Sequence, residues 1–210
     1  MVDTVMISDA LEEFVLQEYG SDAEAIMAYL PSFPIKPNEI KAVMINEVVA
    51  DRPKEDFYSA AQSPYYMQTT SALFQKAGVA VGGMQDILDM GVYVTSALKL
   101  PKPASGVDTA DIRRYVSLLK KELALFSALK AVMLMGDVAR KAVNIISKGE
   151  TGKNALPAVS TYKLRHSEIW YEEVRLFPAY IMTGKNLAIE KSKMEMSAEE
   201  LAKMLAFISR

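Results

Sequence analysis

Asn46 and Glu47 close a run of apolar and β-branched residues, Ile40 to Val49. An amide there can position a water molecule through its carbonyl oxygen, but it accepts no proton at neutral pH. A strand-end asparagine also commonly bonds its own backbone. Glu47 can accept a proton, although neighbours on a strand point to opposite faces unless the strand has already ended. Tyr65 and Tyr66 follow Pro64 and offer flat faces for a ring to stack on. Such a pair also serves to pack a loop onto the core. Ser96 sets one hydroxyl in a second apolar run, where a small buried residue also fits. Thr183, Gly184, Lys185 and Asn186 combine backbone amides, a hydroxyl and a cation. That set suits a phosphate, and it suits an exposed turn.

Other chemistries lack their residues. There is no cysteine, hence no disulfide, thiolate metal site or cysteine nucleophile, and one histidine, His166, cannot build a multi-histidine metal site. We expect no metal and no cofactor. The 13 methionines read as core filler. The net charge of −2 argues against an extended electrostatic grip on nucleic acid. A local one is compatible with Arg175, Lys185, Lys191 and Lys193, which face only Glu190 between Val174 and Met194. Just upstream, Lys163, Arg165 and His166 are offset by Glu168, Glu172 and Glu173. The N-terminus has no basic segment followed by an apolar run, and no apolar stretch nears the ~20 residues of a membrane span. A cytoplasmic protein is expected, since cysteine-free chains suit a reducing compartment.

The elements that must position these residues alternate. The spacing of Leu11, Phe14, Val15, Ala23, Ile26, Met27 and Leu30 predicts helix over 9–30 with a break at Gly20-Ser21, and Ser21 or Asp22 as cap of the second piece. Strands are predicted at Ile40–Val49, Val92–Leu100, Ala131–Met135 and Val174–Ile181. Helices are predicted over 67–76, 84–90 and 109–126, then after Gly136 with Asp137 as N-cap, and over 198–208 with Ser197 and Glu200 as a capping box. Strands separated by helices of ten or more residues imply βαβ units. The expected fold is one α/β domain over 1–210, with 1–35 as an N-terminal helical arm. It is a three-layer α/β/α sandwich around a mostly parallel, four-stranded sheet, with ligands at the carboxyl ends of the strands.

Four segments in this order resemble the uracil-DNA glycosylase superfamily across residues 40–194. AVMINEVV lies where members carry a water-activating motif such as Gly-Gln-Asp-Pro, so Asn46 falls at the catalytic Asp or Asn. SPYYMQTTSALFQKAG is similar to the segment that supplies an aromatic to stack on the flipped base, and Tyr65 takes that place. VYVTSALKLPKP resembles a strand whose Asn reads the uracil edge; Ser96 is its counterpart. FPAYIMTGKNLAIEKSK stands where the family has the His-Pro-Ser loop that grips DNA. LKAVMLMGDVARKAV is similar to the family's strand–glycine–helix segment.

The resemblance implies a monofunctional DNA base-excision glycosylase that hydrolyses the N-glycosidic bond of uracil or a related deaminated base. DNA would be its partner. Asn46 and Glu47 would be catalytic; Tyr65, Tyr66 and Ser96 would hold the base; Thr183, Gly184, Lys185 and Asn186 would hold DNA. The iron–sulfur branch needs four cysteines, so that cluster is excluded. Ile181 replaces the histidine that supports the leaving base, which predicts a slow enzyme. Met182 is a candidate wedge into the duplex. Two alternatives stay open: an inactive DNA-binding module on the same fold, and an α/β domain that binds free nucleosides or bases.

Overall fold

The computed structural model describes residues 3–184 and 191–210. In chain order its strands are β1 (Val5–Met6), β2 (Pro34–Ile35), β3 (Ala42–Val48), β4 (Val92–Leu98), β5 (Ala131–Met135), β6 (Ile169–Tyr171) and β7 (Val174–Ala179). Its helices are α1 (Ile7–Tyr19), α2 (Ala23–Met27), α3 (Tyr65–Lys76), α4 (Met84–Asp89), α5 (Thr109–Leu123), α6 (Asp137–Thr151), α7 (Thr161–Leu164) and α8 (Lys191–Ile208).

The fold is α/β. The main sheet has the order β4-β3-β5-β7-β6, with β4, β3, β5 and β7 parallel. Those four strands form where continuous apolar runs predict them, because a strand covered on both faces has no polar side. The fifth strand, β6, corrects the four-stranded expectation: it pairs antiparallel with β7, Ile169 opposite Leu176. Its hairpin turns at Glu172, the one non-glycine residue with positive φ among those described (54°), so no Gly, Asn or Pro announces it. Pro178 is tolerated in β7 because β6 pairs only with Val174–Leu176 and leaves that edge open beyond.

Right-handed crossovers decide which helices share a face. The chain leaves β3 for β4 in one direction, through α3 and α4. It runs from β4 to β5 to β7 in the other, through α5 and α6. The two pairs therefore cover opposite faces. α8 packs on β5 and β7 and against α3, while α1 packs against α5, where Tyr19 stacks on Tyr115 at 5.6 Å. One apolar cluster runs from Ile7 to Ile208. Tyr58 covers the outer edge of β4: its hydroxyl donates to Val94 O (2.8 Å) and accepts from Val94 N (3.1 Å), which blunts that edge for pairing.

Three caps differ from expectation. Asp22 makes no cap bond; its carboxylate pairs with Arg114. Gly136, not Asp137, is the N-cap of α6, and Asp137 bonds Arg140 instead. α8 is already helical at Lys191, so Ser197 lies inside it, fully buried. Among the described residues no helix is long and apolar enough to cross a membrane.

Candidate functional site

The parallel order β4-β3-β5-β7 has its switch point between β3 and β5, where the connections leave in opposite directions and open a crevice at the carboxyl edge. β3 ends there with Asn46 and Glu47, and β5 ends there with Gly136. Asn46 and Glu47 lie within the strand, so they point to opposite faces. Their side chains do not converge in this conformation.

Glu47 faces α6. Its Oε1 accepts the Val138 N–H at 3.1 Å, placing a carboxylate on the positive end of the helix and satisfying one of its orphan donors. The crevice is thus filled by the protein's own carboxylate. Gly136 makes this possible. A Cβ on it would lie 2.8 Å from Glu47 Cδ, and its φ of 102° with ψ of 178° belongs almost to glycine alone. Gly136→Ala is expected to cost about 2 kcal/mol, read from urea denaturation. A loss below about 0.5 kcal/mol would show that the turn relaxes.

Asn46 faces the other way. It is in register with Ser96, so both side chains share the face opposite α5 and α6. Asn46 Nδ2 donates to Thr95 O at 3.3 Å, but Asn46 Oδ1 and Ser96 Oγ are buried with no hydrogen-bond partner among the described residues. Native proteins seldom leave two such atoms side by side, since each costs about 1–3 kcal/mol. Here the pair offers an acceptor and a hydroxyl to whatever enters.

The tyrosines and the loop after β7 meet on the α3 side. Tyr65 and Tyr66 form the first turn of α3. Tyr65 is exposed, while Tyr66 packs on Phe57, ring centroids 5.2 Å apart. Burial pushes the Tyr66 hydroxyl up to about 12, and its contact with Thr183 pulls the other way. The same hydroxyl donates to Val49 O at 3.5 Å, just beyond β3. A Cβ on Gly184 would sit 3.4 Å from Tyr66 and 3.5 Å from Tyr65, so this backbone runs against both rings. Lys185 and Asn186 lie outside the described residues. Met182 is buried in the core, which corrects the wedge expectation for this conformation. Arg165 and Arg175 are not free for phosphate: Arg165 pairs with Glu199 and Glu200, and Arg175 with Glu168. His166 lies on the surface, edge-on to Tyr162.

The described parts of the four segments therefore gather at one edge of the sheet, in a closed arrangement. Asn46 is 1%, Ser96 2% and Thr183 4% exposed. A cleft of about 630 Å³ lies nearby on α3, lined by Phe57, Gln62, Pro64, Met67, Gln75 and Met84, and none of those three residues lines it. A ligand reaches the unpartnered pair only if its cover shifts. Among the described residues no group of three His, Cys, Asp or Glu is placed to hold a metal.

Sequence reasoning missed a buried polar cluster beside the site. Lys99 Nζ pairs with Glu122 Oε2 at 2.6 Å and also bonds Thr95 Oγ1, while Tyr93 donates to Glu122 Oε1 at 2.6 Å. Asp56, buried in the loop after β3, accepts from Ala50 N (2.6 Å) and Phe57 N (2.8 Å). In the sequence Asp56 is one of several charges in a polar loop, and nothing marks it as interior. No protein-family model and no curated protein matches the chain.

Proposed function

We propose that this chain is a divergent member of the uracil-DNA glycosylase superfamily, hydrolysing the N-glycosidic bond of uracil or a related deaminated base in DNA. The observation that carries the reading is the pair of polar atoms, Asn46 Oδ1 and Ser96 Oγ, in register at the carboxyl edge and without a hydrogen-bond partner among the described residues. Support also comes from the meeting of the Tyr65-Tyr66 turn with Thr183 and Gly184, two segments more than a hundred residues apart in sequence.

Such an enzyme must take the base out of the stack, since its glycosidic bond is unreachable within a duplex. A tyrosine face would hold the ring, and Ser96 would test its edge. Asn46 Oδ1 would orient water toward the sugar carbon as oxocarbenium character develops. A neutral amide cannot take the water's proton, so the proton passes to solvent while the base leaves as its anion. The departing uracil carries negative charge, and Ile181 donates nothing to it. Loss of one such donor typically slows a reaction about 100- to 1000-fold.

Oligonucleotides carrying uracil, hypoxanthine, xanthine or a G·U mismatch, incubated with the protein and then treated with alkali, test this. Cleavage at the lesion is expected, with the rate falling about 100-fold in Asn46→Ala. No alkali-labile site on any of the four sinks the reading. The non-catalytic DNA-binding alternative has its own supporting observation: the only carboxylate beside Asn46 in sequence, Glu47, is held on α6. Salt-dependent gel retention without cleavage would favour it.

A further inference from the structure

The stretch from Tyr180 to Gly184 after β7 is held at both ends by buried hydroxyls, one from α8 and one from α3. Ser197, fully buried in α8, accepts from Tyr180 N at 3.1 Å and donates back to Tyr180 O at 3.5 Å. Thr69, in α3, accepts from Gly184 N at 3.3 Å and donates to Tyr66 O at 3.0 Å. A threonine hydroxyl has one proton to give and lone pairs to receive, so both bonds form at once. Thr69 is 6% exposed, and water does not readily replace it. Its two bonds tie the loop backbone to the turn that carries Tyr65 and Tyr66. The same stretch has two further restraints. Gly184 has a φ of 59°, and its Cα faces both rings.

We infer that Thr69 is a positioning residue that sets the spacing between the tyrosine pair and the backbone at Thr183-Gly184, and so presets that backbone for a DNA strand. This rests on the glycosylase reading. Ser197 anchors Tyr180, so the backbone from Tyr180 to Gly184 is held in place before ligand arrives, whatever else shifts to open the buried pair. A preset loop spares the ordering cost that binding would otherwise bear. Its loss therefore weakens substrate capture and leaves the chemical step alone.

Thr69→Val keeps the shape and removes the hydroxyl; Thr69→Ser keeps the hydroxyl. Two readouts are needed. The first, without DNA, is hydrogen exchange at the Gly184 amide, expected to quicken in Thr69→Val and to return to wild-type in Thr69→Ser. The second is steady-state cleavage of a uracil oligonucleotide. KM is expected to rise about tenfold in Thr69→Val with kcat within about twofold, and Thr69→Ser to restore it. An unchanged KM in Thr69→Val, in a protein whose wild-type form excises uracil, overturns the inference and leaves the glycosylase reading standing. A fall in kcat alone overturns it too. Wild-type protein that neither binds nor cleaves DNA removes the reading and this role with it, even if Gly184 exchange quickens.

Discussion

Lys99→Met should destabilise the protein by about 3–5 kcal/mol, one of the two largest effects expected of any single substitution discussed. The ion pair it breaks is fully interior, with side-chain exposures of 3% and 0% for Lys99 and Glu122. Removing the ammonium leaves Glu122 with the hydroxyls of Tyr93 and Thr95 and no balancing charge. The remaining carboxylate must either stay ionised at high cost or take up a proton. Burial already pushes the Tyr93 hydroxyl well above its ordinary range, with the charge of Glu122 next in effect, so this hydroxyl stays a donor at every workable pH. The second variant is Lys99→Met with Glu122→Gln. The glutamine oxygen can still accept from Tyr93 and Thr95, and no charge remains inside. The double variant should regain most of the loss, giving a strong positive coupling in a double-mutant cycle. Urea denaturation at neutral pH reads both. A single-variant cost below about 1 kcal/mol would mean that water reaches the pair.

The cluster also locates the boundary of what the sequence can say. Lys99 follows a strand written in the sequence as an apolar run, and Glu122 follows Lys120 and Lys121 on a helix. Periodicity places a residue on a face within about a turn, and Glu122 sits at the margin where the helix turns toward β4. Nothing local distinguishes a solvated glutamate from one that meets a lysine 23 residues earlier in the sequence. The four parallel strands were legible because burial on both faces writes a continuous apolar run. β6 was not, because three residues carry no period and its turn uses Glu172 where a glycine or asparagine would be the usual signal.

The candidate site divides the same way. Strand alternation alone says that Asn46 and Glu47 diverge. That Glu47 sits on α6 depends on Gly136 and on the order of strands, which no local pattern contains. Ser197 and Glu200 look like a capping box, but the chain is already helical six residues earlier and Ser197 is turned to Tyr180. A helix start signal is only as good as the assumption that nothing helical precedes it.

Asp56 should make stability fall as pH rises from about 4 to about 6, by roughly 3 kcal/mol. Burial raises its pKa from 3.8 to about 6, against the pull of the Ala50 and Phe57 N–H groups and the charge of Lys99. Below pH 4 both folded and unfolded forms hold the proton, and the fold bears no penalty. Between 4 and 6 the unfolded chain has released it while the folded one keeps it, so each pH unit favours unfolding. Above 6 both are ionised and the penalty is constant. Other carboxylates titrate in the same window, so the test is a difference. Asp56→Asn cannot titrate, and its single carbonyl oxygen leaves one of the two backbone N–H groups without a partner at a cost that does not vary with pH. The variant should be the less stable protein at pH 4 and should gain on wild type by about 3 kcal/mol by pH 7. A stability difference that is the same at both pH values would place Asp56 in contact with water. The loop at stake follows directly on Asn46 and Glu47. Tyr29 donates to Ala50 O at 2.9 Å and Tyr66 to Val49 O, so Asp56 is one of three side chains fixing the backbone where β3 ends.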